Sequence, residues 1–125
     1  MAPEPIIAVV EQGQRVAADG SSFSIHEWRG SGPPRLHVHH GDDEAWHVLE
    51  GALRFRFADR TVDVPAGGTV FVPAGVAHTY ESLDQARYLV ILTPRVRELI
   101  SELQSAADRL ADDEIYRRHG AEIVE

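Results

Sequence analysis

His37-Val38-His39-His40-Gly41-Asp42-Asp43-Glu44 is the stretch on which the reading turns. In an extended strand residues i and i+2 project from one face, so His37 and His39 offer two imidazoles to one point, while His40 faces the other way. Gly41-Asp42-Asp43 has turn composition, so Glu44 is expected to begin the neighbouring antiparallel strand and to bring a carboxylate back beside the pair. Asp42 and Asp43 read as a solvated turn. Further along, His78 follows Pro73-Ala74-Gly75 and supplies a third imidazole. Three imidazoles and one carboxylate suit one borderline divalent transition metal ion per chain, Fe, Mn, Ni, Cu or Zn, with positions left for water or substrate. Taken singly each piece has an ordinary reading, as a solvated histidine pair, a hydrogen-bonded histidine or a surface charge. The joint spacing sets them apart.

Around this stretch, short period-two segments punctuated by Gly, Pro and Asp fill most of the first 93 residues. Phe23 to Trp28, Leu53 to Phe57 and Val62 to Val64 alternate as half-buried strands do, and Asp59-Arg60 reads as a hairpin connection. Thr69 to Val72 and Tyr88 to Leu92 are denser and suit strands buried on both faces. Ile6 to Val10 reads as an exposed edge strand. Many short strands with turn signals between them predict an antiparallel sandwich or barrel.

The pattern changes at Thr93-Pro94, a capping residue followed by proline at the first helical position. Val96, Leu99, Ile100, Leu103, Ala107 and Leu110 recur at helical steps, predicting an amphipathic helix from about Pro94 to Leu110. Asp112 or Asp113 caps a second helix through about His119, stopped by Gly120. The expected organisation is a barrel over 1–93, with its motif core in 32–82, and a helical extension over 94–125 packed on the barrel or on a partner subunit.

Composition narrows the chemistry. The chain of 125 residues has twelve basic and twenty acidic side chains, a net charge of −8, which argues against nucleic acid and anionic membranes as partners. No cysteine is present, so disulfides, iron–sulfur clusters and thiolate nucleophiles are excluded. Every basic residue is arginine, which excludes Schiff-base chemistry on lysine, and the lack of asparagine excludes N-glycosylation. Met1 to Pro5 has no basic run and Ile6 to Val10 is too short for a signal core, so a cytoplasmic location is expected.

The combined spacing resembles the cupins. Gly32, His37, His39, Glu44 and Gly51 match that family's first motif, and Gly67, Pro73, Gly75 and His78 its second, over a region from roughly Ser22 to Thr93. Two positions depart from the pattern: the interval from Gly32 to His37 is one residue short, and Ser82 stands where asparagine is frequent. Neither is a ligand position. The resemblance implies an all-β, antiparallel jelly-roll barrel with a C-terminal helical tail, and an ion held inside by His37, His39, Glu44 and His78. Gly51 and Gly75 fall where tight turns favour positive φ.

By strand alternation Trp46 shares the face of Glu44, while Tyr80 and Ser82 share that of His78. Trp46 and Tyr80 are candidates to line a pocket for a planar substrate, against the plainer reading as barrel core. His47 reads as a partly buried, hydrogen-bonded side chain, with a group supporting the site or an acid/base as the alternatives, and His26 and Arg35 as groups at the pocket mouth. The functional expectation is a metal-dependent enzyme on a small organic substrate, with quercetinase-like dioxygenation first among its reactions and Glu44 as the base. A metal-dependent isomerase or cyclase, and a non-catalytic binding or sensing module, are the alternatives. Cupins often associate through sheet edges, and the resemblance implies a homodimer.

Overall fold

The computed structural model describes residues 4–106 and 112–125. Two long antiparallel strands carry its architecture, β4 (Glu44–Phe57) and β7 (His78–Leu92), which pair along most of their lengths. β1 (Ala17–Asp19) and β2 (Ser24–Arg29) extend one flank of β7, and β3 (His37–His39) pairs with its beginning. β5 (Thr61–Pro65) and β6 (Thr69–Val72) return against β4, the first through a turn closed by Phe57 N donating to Arg60 O. The barrel is thus an all-β antiparallel jelly roll, followed by α1 (Pro94–Ser105), α2 (Asp112–Arg118) and a last strand, β8 (Ala121–Ile123), antiparallel to β3.

The bend that lets β4 and β7 serve both walls of the barrel lies at Gly51. Its φ of +69° suits glycine, and a Cβ added there would stand 2.7 Å from the Asp84 carbonyl oxygen. Opposite it, Asp84 and Gln85 also have positive φ, and the register between β4 and β7 slips on either side of Glu50. The slip reverses the buried phase of β4: Glu44, Trp46 and Val48 point inward before it, Leu53 and Phe55 after it. With Tyr80, Tyr88, Val90 and Leu92 from β7, these side chains form the main core.

Some expectations required correction. β4 pairs with β5, β6 and β7 and not with β3; Glu44 lies opposite Val72, and closure of the barrel brings it near the histidines. Ile6 to Val10 is not a strand, because among the described residues no strand pairs with it and Val10–Gln12 curls into a 3-10 turn ended by Gly13 at φ +77°. β6 is not buried on both faces: Phe71 is 62% exposed, since among the described residues none covers it from outside the hairpin. The outward side chains at Tyr88 to Leu92 are half-buried rather than fully enclosed.

α1 begins as expected, with Thr93 Oγ1 accepting from Val96 N and Pro94 in the first turn. Val96, Leu99 and Leu103 are buried beneath it, and Leu99 and Leu103 join Ile115, Tyr116 and Ala121 in a second apolar cluster. The helix ends at Ser105, where Ala106 becomes extended; Ala107 and Leu110 lie outside the described residues. α2 stops before Gly120, whose φ is +72°. Among the described residues no helix is long and apolar enough to cross a membrane.

Candidate metal centre

β3 presents His37 and His39 on one face, both buried. His37 lies directly opposite His78 in the β3–β7 ladder, with ring centroids 4.6 Å apart. Glu44, the first residue of β4, reaches both other rings: its Oε1 is 2.8 Å from His39 Nε2 and 3.1 Å from His78 Nε2. One donor atom from each of the four residues lies within 4.8 Å of every other. The four positions expected from the sequence therefore converge in space.

Backbone carbonyls orient two of the rings. His37 Nδ1–H donates to Arg35 O at 2.9 Å, and His78 Nδ1–H donates to Val76 O at 3.0 Å. In a neutral ring that bond leaves the Nε2 lone pair free to face the cluster. Burial and the adjacent His78 push the His37 imidazole down to about 4. Burial alone would raise the Glu44 carboxyl, but the His39 and His78 imidazoles against it outweigh that effect and lower it to about 2. At neutral pH His37 is therefore unprotonated and Glu44 ionised, the forms a metal ion requires.

The fit to a cation follows from the same contacts. With the His78 ring proton committed to Val76, its Nε2 and the Glu44 oxygen would meet lone pair to lone pair, an arrangement that a positive centre between them relieves. His39 Nδ1 and Glu44 Oε1 are moreover buried without a hydrogen-bond partner. Buried polar atoms left in this state are costly, and a shared cation satisfies several together. Three imidazoles and a carboxylate could hold a borderline divalent ion.

The turn between His39 and Glu44 is solvated at Gly41 and Asp43, as expected, but not at Asp42. Asp42 is only 8% exposed and accepts from Thr93 Oγ1 and Arg95 Nε, so burial against the start of α1 fixes it. Asp43 Oδ1 accepts from Ala74 N, and Gly75 N donates to His39 O, each at 2.8 Å. The loop that carries Glu44 and the loop that presents His78 are thereby tied together. Gly75 takes its turn at φ +91°.

The cluster borders a cavity of about 820 Å³. Trp46 and Tyr80 line it as the alternation implied, joined by Trp28, Tyr88 and Tyr116. Gly32 is needed at the wall, because a Cβ there would fall 2.4 Å from the Tyr80 ring. Arg35 is among the lining residues, whereas Ser82, His47 and His26 are not. Ser82 braces the bend of β7 by accepting from Ala86 N, His47 bonds Thr69 on the outer side of β4, and His26 bonds Asp19. His40 is exposed beside Glu122, on the face opposite the cluster.

Trp28, Tyr88 and Tyr116 were missed in the sequence, together with Arg15 and Arg29 at the mouth. Tyr88 keeps the even phase of His78 and Tyr80, the signal that could have found it. Tyr116 comes from α2, its ring centroid 5.3 Å from that of His37, and no local pattern announces that contact.

Comparison with known proteins gives the same architecture. An uncharacterized protein of Streptomyces coelicolor is 36% identical over 56 residues, covering 44% of this chain and 53% of its own. Mannose-1-phosphate guanylyltransferase 2 of Escherichia coli O157:H7 is 29% identical over 83 residues, covering 66% of this chain and 15% of its own. The chain thus spans about half the length of one curated relative and a small part of the other. Among solved structures, the polyketide cyclase RemF from Streptomyces resistomycificus is 28% identical with a TM-score of 0.51, covering 59% of this chain and 56% of that one. A sugar phosphate isomerase of the cupin superfamily from Silicibacter pomeroyi is also 28% identical, with a TM-score of 0.50 and coverage of 58% and 51%. The model of the cupin domain matches residues 23–92. With that match over more than half its length, and with the jelly roll that surrounds the His37, His39, Glu44 and His78 cluster, the chain belongs to the cupin family.

Proposed function

We propose that the protein is a metal-dependent enzyme acting on a small organic substrate. The observation that carries this reading is the placement of four buried donor residues at the border of a cavity large enough for a whole small molecule. His37, His39, Glu44 and His78 would hold the ion, which when bound would supply Lewis-acid polarisation of a substrate oxygen. Trp46, Tyr80 and Tyr88 enclose the substrate and exclude water. Glu44 accepts a proton from the substrate; its contacts with His39 and His78 keep it a weak base at about 2, so it takes the proton only as those contacts loosen.

Cyclisation or isomerisation of a carbonyl compound and ring-cleaving dioxygenation can both begin with that proton loss. The cyclase and isomerase among the similar structures favour the first pair, and quercetinase-like dioxygenation is the second reading. Protein loaded separately with Fe, Mn, Ni, Cu and Zn should be screened against β-dicarbonyl compounds, sugar phosphates, catechols and flavonols with an oxygen electrode and mass spectrometry. Products of unchanged mass, or lighter by one water, support the first reading; stoichiometric oxygen uptake supports the second. If no loaded form turns over any substrate, the binding or sensing module replaces both.

We also infer a homodimer, supported by the exposure of Ile6, Ile7, Phe23 and Phe71. Light scattering should give twice 13.8 kDa, and the mass of a single chain at micromolar concentration would refute it.

A further inference from the structure

We propose that a second copy of this chain docks on the outward face of β6, β4, β7, β2 and β1, with the strand order reversed across a two-fold axis through Ile91. The inference rests on the homodimer reading and names the face and the register that the dimer uses.

The first observation is an uncovered apolar row. Phe71 lies opposite Ala45, Ala45 opposite Ile91, Ile91 opposite Ile25 and Ile25 opposite Ala18, so neighbouring strands carry these side chains in line. Val72, Trp46, Val90 and Ser24, next to them in the chain, are buried in the barrel, which turns the row outward. Val70-Phe71-Val72 and Tyr88-Leu89-Val90-Ile91-Leu92 have the unbroken apolar composition of strands covered on both faces. A single chain covers one face only: Phe71 is 62% exposed, and Ala45, Ile91, Ile25 and Ala18 are half-buried. A second layer supplies the missing cover.

The second observation is self-complementarity. Each copy carries a net charge of −8, so two copies meet most readily on a surface without free carboxylates, and this row holds no charge. An axis through Ile91 along the strands sets Phe71 of one copy on Ala18 of the other, Ala45 on Ile25 and Ile91 on its own counterpart. Large side chains thereby meet small ones. An axis across the strands would set Phe71 on Phe71 and Ala45 on Ala45, leaving gaps beside the rings. The adjoining row agrees with the first arrangement. Thr69 lies opposite His47, His47 opposite Leu89 and Leu89 opposite Glu27, so reversal brings His47 over Glu27 of the second copy. With the Thr69 hydroxyl donating to His47 Nδ1 at 2.7 Å, the ring carries its proton on Nε2 and offers it to that carboxylate. Within its own chain Glu27 meets Arg87 Nη1 at 3.5 Å, which leaves its oxygens room for a closer donor.

Thiol crosslinking reads the register directly, because the chain has no cysteine of its own. Stacked sheets lie about 10 Å apart, and a bis-maleimide of about that reach joins only positions that face each other. Ile91→Cys should link two copies. Phe71→Cys alone should not, since its two copies stand about 19 Å apart along the row, four strand spacings. Ala18→Cys alone, and Arg60→Cys at the distant hairpin, should not link either, whereas the Ala18→Cys, Phe71→Cys double variant should. Ile91→Asp sets two carboxylates together on the axis and should raise the dimer dissociation constant at least about a hundredfold in sedimentation. Circular dichroism checks its fold; if it unfolds, Phe71→Asp, at an exposed position, gives the same reading.

Self-linking by Phe71→Cys, no linking by Ile91→Cys or by the double variant, or a dimer unaffected by the charge variants overturns this inference and leaves the homodimer reading standing. The mass of a single chain at micromolar concentration overturns that reading, and this inference with it.

Discussion

Arg95 grips Asp42 through two nitrogens, Nε at 2.8 Å and Nη2 at 2.7 Å from the same carboxylate oxygen. Thr93 Oγ1 donates to the other oxygen, and the Arg95 guanidinium passes close over Gly41 and Gly120, where a Cβ would meet it at 2.7 Å. One side chain thus joins the turn before Glu44, the start of α1 and the turn after α2. Asp42→Ala should lower the unfolding free energy by about 1 to 3 kcal/mol, the cost of leaving such partners unpaired. It should also weaken zinc affinity, because the turn carrying Glu44 loses its anchor. Denaturant melts and competition with a chromogenic chelator measure the two effects, and unchanged zinc affinity would show that the turn holds Glu44 without help.

His39→Ala should abolish most metal occupancy, while His40→Ala should leave it close to that of the unaltered protein. The two residues are adjacent, but His39 faces the cluster and His40 faces Glu122 and solvent. Elemental analysis after purification and reloading compares them. Equal occupancy in the two variants would break the assignment.

Glu44→Gln separates ligand from base. Reloaded to the occupancy of the unaltered protein, it should still bind a substrate and turn it over at least about tenfold more slowly, within the range for loss of general-base catalysis. Turnover at matched occupancy is the measurement, and an unchanged rate would confine Glu44 to a structural role.

Glu125 should make the hold on β8 depend on pH. Both of its carboxylate oxygens accept from Arg56 at 2.8 Å, and Oε2 also accepts from Leu36 N. Arg56 first, and the Leu36 amide second, lower its pKa from 4.5 to about 2. Folding therefore favours the ionised form, and the contribution is complete above 4.5 and lost as pH falls through about 2. Hydrogen exchange at Ala121 to Ile123 should show greater protection than in Arg56→Gln at neutral pH. That advantage should disappear across the same window, and a constant difference down to pH 2 would contradict the assignment.

The cluster was legible because its parts obey local rules. His37 and His39 are fixed by strand period, Glu44 follows a turn, and His78 follows Pro73-Ala74-Gly75. The helix start at Thr93-Pro94 and the stop at Gly120 are likewise written in single residues. The phase reversal at Gly51 was hidden, because a bulge changes which side chains face inward without altering the composition on either side. β8 has three residues, too few for any periodicity, and β1 is as short. Asp42 and Asp43 look like surface charge until Arg95 and Ala74 arrive from distant parts of the chain. Arg15, Arg29 and Arg35 belong to separate segments, and only the closed barrel gathers them.

The pairing of β3 with β8 also orders events during synthesis. His37 and His39 leave the ribosome early, yet β3 meets β7 through one residue pair and otherwise relies on the ladder from His37–Ile123 to His39–Ala121. Translation proceeds at about 5 to 20 residues per second, so the nascent chain spends seconds with the histidine strand made and its edge partner not yet available. During that interval the donors lack the neighbour that aligns them, and a passing ion meets a looser, less selective set. If the cluster takes the proposed ion, its selectivity is accordingly set only once β8 has joined β3.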